Sequence, residues 1–164
     1  MPGIRIEGDI QNLISTIRDL GDMDFLVVSQ VLGEANRTST VERFKDEEDP
    51  QGKKWKKSIR ATEEGGQTLT NKSDLKNSIK SKASEEGFVV GTNKIYAGTH
   101  QKGGTFTIRA KNAPYLRFKY KGKWISKKQV TVDMPKREFL GISKEDMQEI
   151  KATLEDFVRG NIND

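Results

Sequence analysis

Apolar residues recur at helical spacing near both ends of this chain and at strand spacing between them, and that change of period admits few architectures. Asp9 is placed to cap a helix whose Ile10, Leu13, Ile14 and Ile17 follow i, i+3, i+4, i+7, with Gly21 as its stop. A short strand is expected before it, at Ile4 and Ile6. The next helix is predicted from Asp22 or Asp24, where Val28, Val31, Leu32 and Ala35 repeat the spacing and Val41 and Phe44 prolong it. Pro50 lacks an N–H and biases Asp49 away from helix, so the chain should turn there.

Residues 53–70 are polar, and Glu64, Gly65, Gly66 and Gln67 suggest a mobile loop. Period-two patterning then predicts strands at 78–83 and 88–91, joined by Ser84, Glu85, Glu86 and Gly87. Further strands are expected at 105–110, 115–120, 123–125 and 129–133, with Lys121 and Gly122 turning the middle pair. Alternation of Val130, Val132 and Met134 with Gln129, Thr131 and Asp133 implies burial of one face only. A last helix should follow Gly141, capped by Ser143 with Asp146 at the capping-box position, and bury Met147, Ile150, Leu154, Phe157 and Val158. The expected fold class is α+β, with N-terminal and C-terminal helices packed on a central antiparallel β-sheet that carries a basic β-hairpin extension.

A chain of 164 residues suggests one domain. Its expected organisation is a helical part over 1–48, a loop over 49–74, a β-rich part over 75–142 with an extension at 105–133, and a helix over 143–162. The core must be lean, because only 38 residues are Leu, Ile, Val or Phe. No stretch approaches the length of a membrane span, and Ile4 with Ile6 is too little for a signal-peptide core, so synthesis in the cytoplasm without membrane association is expected.

The side-chain inventory narrows the chemistry. No cysteine is present, which excludes disulfides, thiolate metal sites and thiol nucleophiles, and the single His100 cannot build an imidazole metal cluster. No Gly-x-Ser-x-Gly elbow surrounds any serine, and Gly103 and Gly104 lack the Gly-Lys-Ser/Thr ending of a phosphate loop. Glu47, Glu48 and Asp49 are read as solvated rather than as a hydrolytic pair. No catalytic residue, cofactor or metal is expected, and the chain is read as a non-enzyme.

Charge is distributed unevenly. Residues 1–50 carry a net −6, residues 51–142 a net +14 and residues 143–164 a net −3. Two functional readings follow, beside the bland one of a solvated face. Acidic ends and a basic middle steer association between copies; alternatively, Lys119, Lys121, Lys123, Lys127 and Lys128, interleaved with Tyr115, Phe118, Tyr120 and Trp124, form a nucleic-acid surface over 105–128. Cross-strand packing is the simpler role for those aromatics.

Three separated segments carry a resemblance. Phe44 is followed by Asp49, Pro50, Gly52 and Trp55, in an Asp-Pro-x-Gly-x-x-Trp pattern. Leu69, Leu75, Ser78 and Ile79 lie in a segment similar to Leu-x-x-Ser-Gly-x-Leu-x-x-Ser-Ile, followed by Gly91, Thr92 and Asn93 and by Tyr96, Ala97, His100, Gln101, Gly103 and Gly104 in a Tyr-Ala-x-x-His-Gln-x-Gly-Gly pattern. Pro135, Arg137, Phe139, Leu140 and Gly141 then precede Ser143 in a Pro-x-Arg-x-Phe-Leu-Gly-x-Ser pattern. In order and spacing these are similar to the phage virion morphogenesis family, the tail completion proteins of Mu-like phages and prophages. Lys72 and Ser73 depart from its usual Ser/Thr-Gly, and the segment 105–133 is longer and more basic than the family pattern.

The resemblance implies a non-enzymatic structural protein of a tailed phage or prophage, acting in tail completion or head-tail joining through oligomerisation, in a ring if the tail tube end is capped. Its partners would be other tail or head-tail connector proteins, and its place the virion tail or head-tail junction. Read physically, Pro50 and Gly52 form a turn, Trp55 anchors the loop, and His100 is a hydrogen-bonding structural residue on a short helix with Tyr96. Arg137 is placed to pair with an acidic helix or with a neighbouring subunit.

Overall fold

A computed structural model describes residues 24–162; the helix expected over 9–17 and the strand at Ile4 and Ile6 lie outside them. Helix α1 (Phe25–Asp46) starts where Asp24 accepts hydrogen bonds from the N–H groups of Leu26 and Val27, and ends at Glu47 in the left-handed region. Its buried stripe follows the apolar spacing at Val28, Leu32 and Phe44 but is wider than that spacing indicates. Val31 is exposed, while Ser29, Gly33, Asn36 and Thr40 are buried beside Phe25, Val28 and Leu32. The reason is close approach by an antiparallel hairpin, β1 (Lys80–Ser84) and β2 (Gly87–Gly91), which packs across α1. A Cβ at Gly33 would stand 3.2 Å from Phe88 Cβ and 3.4 Å from Ser81 Cβ, so small side chains set that distance.

The segment after Pro50 is not the structureless loop its polarity suggests. Ser58 caps a short helix, α2 (Ile59–Glu63), and Thr68 is fully buried with its N–H donating to Glu47 Oε1 at 2.7 Å. Gln67 Nε2 also donates to the Lys45 carbonyl at 2.8 Å, so the loop is tied to the end of α1. Ser78, expected to open a strand, instead follows the short α3 (Asp74–Asn77) and donates to the Leu75 carbonyl at 2.7 Å. The Tyr96–His100 spacing does lie on a short helix, α4 (Ala97–Lys102).

The fold is α+β, but the strands among the described residues form three separate antiparallel pairs rather than one central sheet. Strands β3 (Gly104–Arg109) and β6 (Gln129–Met134) pair along their whole length, from Gly104 with Met134 to Arg109 with Gln129. Between them β4 (Leu116–Tyr120) and β5 (Lys123–Lys127) form a hairpin turned at Lys121 and Gly122. The chain thus leaves the body along β3 and returns along β6. Helix α5 (Lys144–Ile162) then packs on α1.

Two apolar clusters hold the body. Phe25, Val28 and Leu32 of α1 meet Ile150 and Leu154 of α5, as the helical spacing predicts for the last helix. Phe44, Trp55, Leu75, Ile79, Val90, Ala97, Phe139 and Leu140 form the second, and Phe88 packs against both. Because the hairpin rides on the small face of α1, Gly33→Leu should separate the two and destabilise the protein by about 1–3 kcal/mol or more. Urea titration followed by circular dichroism is the measurement, and an unchanged midpoint would show that the close approach is dispensable.

Candidate functional site

The three motif segments, distant in sequence, converge on one stretch of irregular chain, residues 135–141. Phe139 and Leu140 are buried in it, yet it belongs to no helix or strand, so side chains must satisfy its backbone. Gln101 supplies three of those bonds. Its Oε1 accepts from the N–H groups of Phe139 and Leu140 at 3.0 and 3.1 Å, and its Nε2 donates to the Leu140 carbonyl at 2.8 Å. Trp55 Nε1 donates to the Glu138 carbonyl at 3.0 Å while its ring meets Phe44 edge-on. Arg43 Nη1 donates to the carbonyls of Phe139 and Gly141 at 3.2 and 2.9 Å.

Steric fit completes this junction. A Cβ on Gly141 would come within 2.5 Å of Pro50 Cγ, and one on Gly103 within 2.6 Å of the Lys136 nitrogen. Asp49 shapes the turn that presents Pro50, its Oδ1 accepting from Gln51 and Lys53 N–H at 3.0 and 2.9 Å and its carbonyl from Gly52 N–H at 2.9 Å. Leu75, Ile79 and Ala97 are core residues, and Ser78 hydrogen-bonds Thr92 at 2.6 Å. The Ser143–Asp146 capping box is present, with Ser143 N–H donating to Asp146 Oδ2 at 2.7 Å and Asp146 N–H to Ser143 Oγ at 3.0 Å. Asp146 also pairs with Arg43, a buried partner that the sequence pattern did not single out.

His100 lies on α4, beside Tyr96. Its Nδ1 is buried without a hydrogen-bond partner, its ring contacts Tyr96, and the bond it makes to the 135–141 segment is through its backbone carbonyl, which accepts from Arg137 N–H at 2.8 Å. Burial, and then the nearby Arg137 charge, lower the His100 pKa and so favour the neutral imidazole. Pro135 leads into Arg137, which is buried.

Beyond this junction stands the arm. From Lys102 to Lys136 no residue is buried, although the ladders are regular. One face of β3–β6 aligns Phe106 with Val132 and Ile108 with Val130, leaving Ile108 51% exposed; the other pairs Thr107 with Thr131 and Thr105 with Asp133. In β4–β5, Phe118 faces Ile125 half-buried, while Trp124 lies opposite Lys119 and is 67% exposed beneath Arg117. Lys119, Lys121, Lys123, Lys127 and Lys128 are all exposed. The aromatics therefore supply only limited cross-strand packing, and the face bearing Trp124 is open.

No group of three or more His, Cys, Asp or Glu among the described residues could hold a metal ion, and no described helix is long and apolar enough to cross a membrane. The junction is thus made of structural side chains, and the arm leaves apolar and basic side chains exposed. The model of the phage virion morphogenesis family matches residues 6–159, and the chain belongs to that family. Its role is accordingly in building phage particles, together with other virion proteins. Neither a curated protein nor a solved structure matches it.

The junction makes a direct prediction. Gln101→Leu keeps the size of the side chain but strands two N–H groups and one carbonyl, each costing about 1–3 kcal/mol when buried and unpaired. A loss of several kcal/mol in chemical denaturation is expected, and a near-neutral result would mean that the 135–141 segment does not depend on Gln101.

Proposed function

We propose that this protein completes the tail or joins head to tail without catalysis, by associating with copies of itself, in a ring, and by docking its arm on neighbouring virion proteins. The observation that carries the reading is the absence of any buried residue between Gln101 and Arg137. Two-stranded ribbons are marginal in water on their own, and an apolar stripe such as Phe106, Ile108, Val130 and Val132 gains most when a partner covers it.

The charge pattern supports a second copy as one such partner. Between residues 104 and 134 the arm carries eight Lys or Arg and one Asp. On the body, Glu42, Asp46, Glu48, Asp49 and Glu145 outnumber Arg43 and Lys144 around a groove between α1, the Pro50 turn and the start of α5, so its lining is net acidic. A basic arm and an acidic groove on one molecule favour a head-to-tail contact, which closes into a ring when the rotation permits. The exposed Trp124 and the arm lysines also suit single-stranded nucleic acid, and that is the competing reading.

The Ala110 N–H donates to the Lys128 carbonyl at 3.0 Å, so these residues sit close enough to be joined by a tight turn. Replacing residues 111–127 with Asn-Gly should leave the thermal unfolding of the body unchanged and reduce incorporation into particles by on the order of tenfold or more, the effect of losing roughly 1.4 kcal/mol of contact. Complementation of a phage lacking the gene, with particle counts, gives the answer. A variant that unfolds, or one that folds and incorporates normally, overturns the docking role. Retention of short DNA by the intact chain that falls steeply with salt, and vanishes in the variant, would favour the nucleic-acid reading instead.

A further inference from the structure

Arg137 is buried, 4% exposed, and among the described residues no carboxylate pairs with it. Its Nε donates to the Lys56 carbonyl at 2.8 Å and its Nη1 reaches Met134 Sδ at 3.4 Å, which leaves Nη2 with no partner among the described residues. Nη2 is not among the sealed polar atoms, and Arg137 lines a cavity of about 560 Å³. Burial without a counter-charge lowers the Arg137 pKa from its usual value. A buried cation is unfavourable until an anion compensates it, and the arginine fork is shaped for a carboxylate.

The remaining lining matches that need. Lys56, Lys57, Arg60 and Lys72 stand around the same cavity, against Asp74 and Asp133, so the lining carries three more positive than negative charges with Arg137 included. Leu69 and Leu75 supply apolar wall, and His100 and Tyr96 complete it. We propose that this cavity binds an acidic peptide segment, one carboxylate being held by Arg137 and an adjacent apolar side chain seated against Leu69 and Leu75. A nucleic acid backbone fits less well, because it tracks along an open basic stripe whereas this site is concave and contains two aspartates. The site lies at the base of the arm, where Val132, Asp133 and Met134 of β6 line it, and apart from the exposed lysines between residues 119 and 128.

Because His100 is the only histidine, its imidazole is an isolated reporter inside the cavity. The test is an NMR titration of the full chain with the blocked peptide acetyl-Leu-Glu-Asp-Leu-amide, its neutral counterpart acetyl-Leu-Gln-Asn-Leu-amide, inorganic phosphate and a short single-stranded DNA. The acidic peptide should shift the His100 signal saturably and raise its titration midpoint, since neutralising Arg137 removes a charge that depresses it; the neutral peptide should do neither. Arg137→Gln should weaken binding on the order of tenfold or more, the usual scale for a truncated buried charge contact. Should that variant unfold, the exposed Lys72→Glu tests the same point at the rim, where a severalfold loss is expected. Equal response to the neutral peptide, no saturable response to the acidic one, indifference to Lys72→Glu, or a preference for phosphate or DNA would each overturn the proposal. The peptide assay does not involve particle assembly, so its failure would leave the arm reading untouched, and loss of the arm function would leave this site standing.

Discussion

A stretch of buried chain without regular structure has to find hydrogen-bond partners somewhere, and in this protein that requirement organises everything around residues 135–141. Gln101 comes from α4, Trp55 from the loop after α1 and Arg43 from α1 itself, so three elements are fixed by one task. Arg43 then pairs with Asp146, which also closes the capping box of α5, so the first and last described helices are joined through the same segment. Breaking any one member strands a buried polar group, which costs more than the bond itself contributes.

That arrangement explains why the family's recognisable residues are scattered in sequence and yet compose one structural unit. Pro50 needs a glycine at 141 in order to pack, Gly103 lets α4 approach Lys136, and Trp55 caps the Glu138 carbonyl. These residues build a packed base from which the arm departs at Gly104 and to which it returns at Met134. Burial is concentrated at the base, while the arm keeps apolar and charged surface on display.

Among the described residues, the same junction leaves one of its own arginines without a counter-charge. Arg43 and Arg137 are both buried, but among those residues Arg43 has Asp146 while Arg137 has a carbonyl, a thioether and the open cavity. Within one fold the first is an internal fastening and the second an unfinished contact, and the difference lies in whether an acid stands within reach rather than in the residue type.

Local rules were enough for several elements. Asp24 and Ser143 announced helix starts because a side-chain oxygen meets orphan N–H groups over two or three residues, and the Ile150–Leu154 face of α5 followed from spacing alone. The strands of the arm were legible from alternation, and the α+β class from the change of period. The buried face of α1 was legible only in part: Val28, Leu32 and Phe44 followed from spacing, but Ser29, Gly33, Asn36 and Thr40 are interior because a hairpin comes close, and nothing local distinguishes a small polar residue facing a neighbour from one facing water. The division of the strands into three pairs, the meeting of Gln101 with Phe139 and Leu140, and the lack of an acid beside Arg137 were likewise decided by tertiary structure. Capping and periodicity act over a few residues and can be read along the chain, whereas partnership across dozens of residues exists only once the backbone has closed on itself.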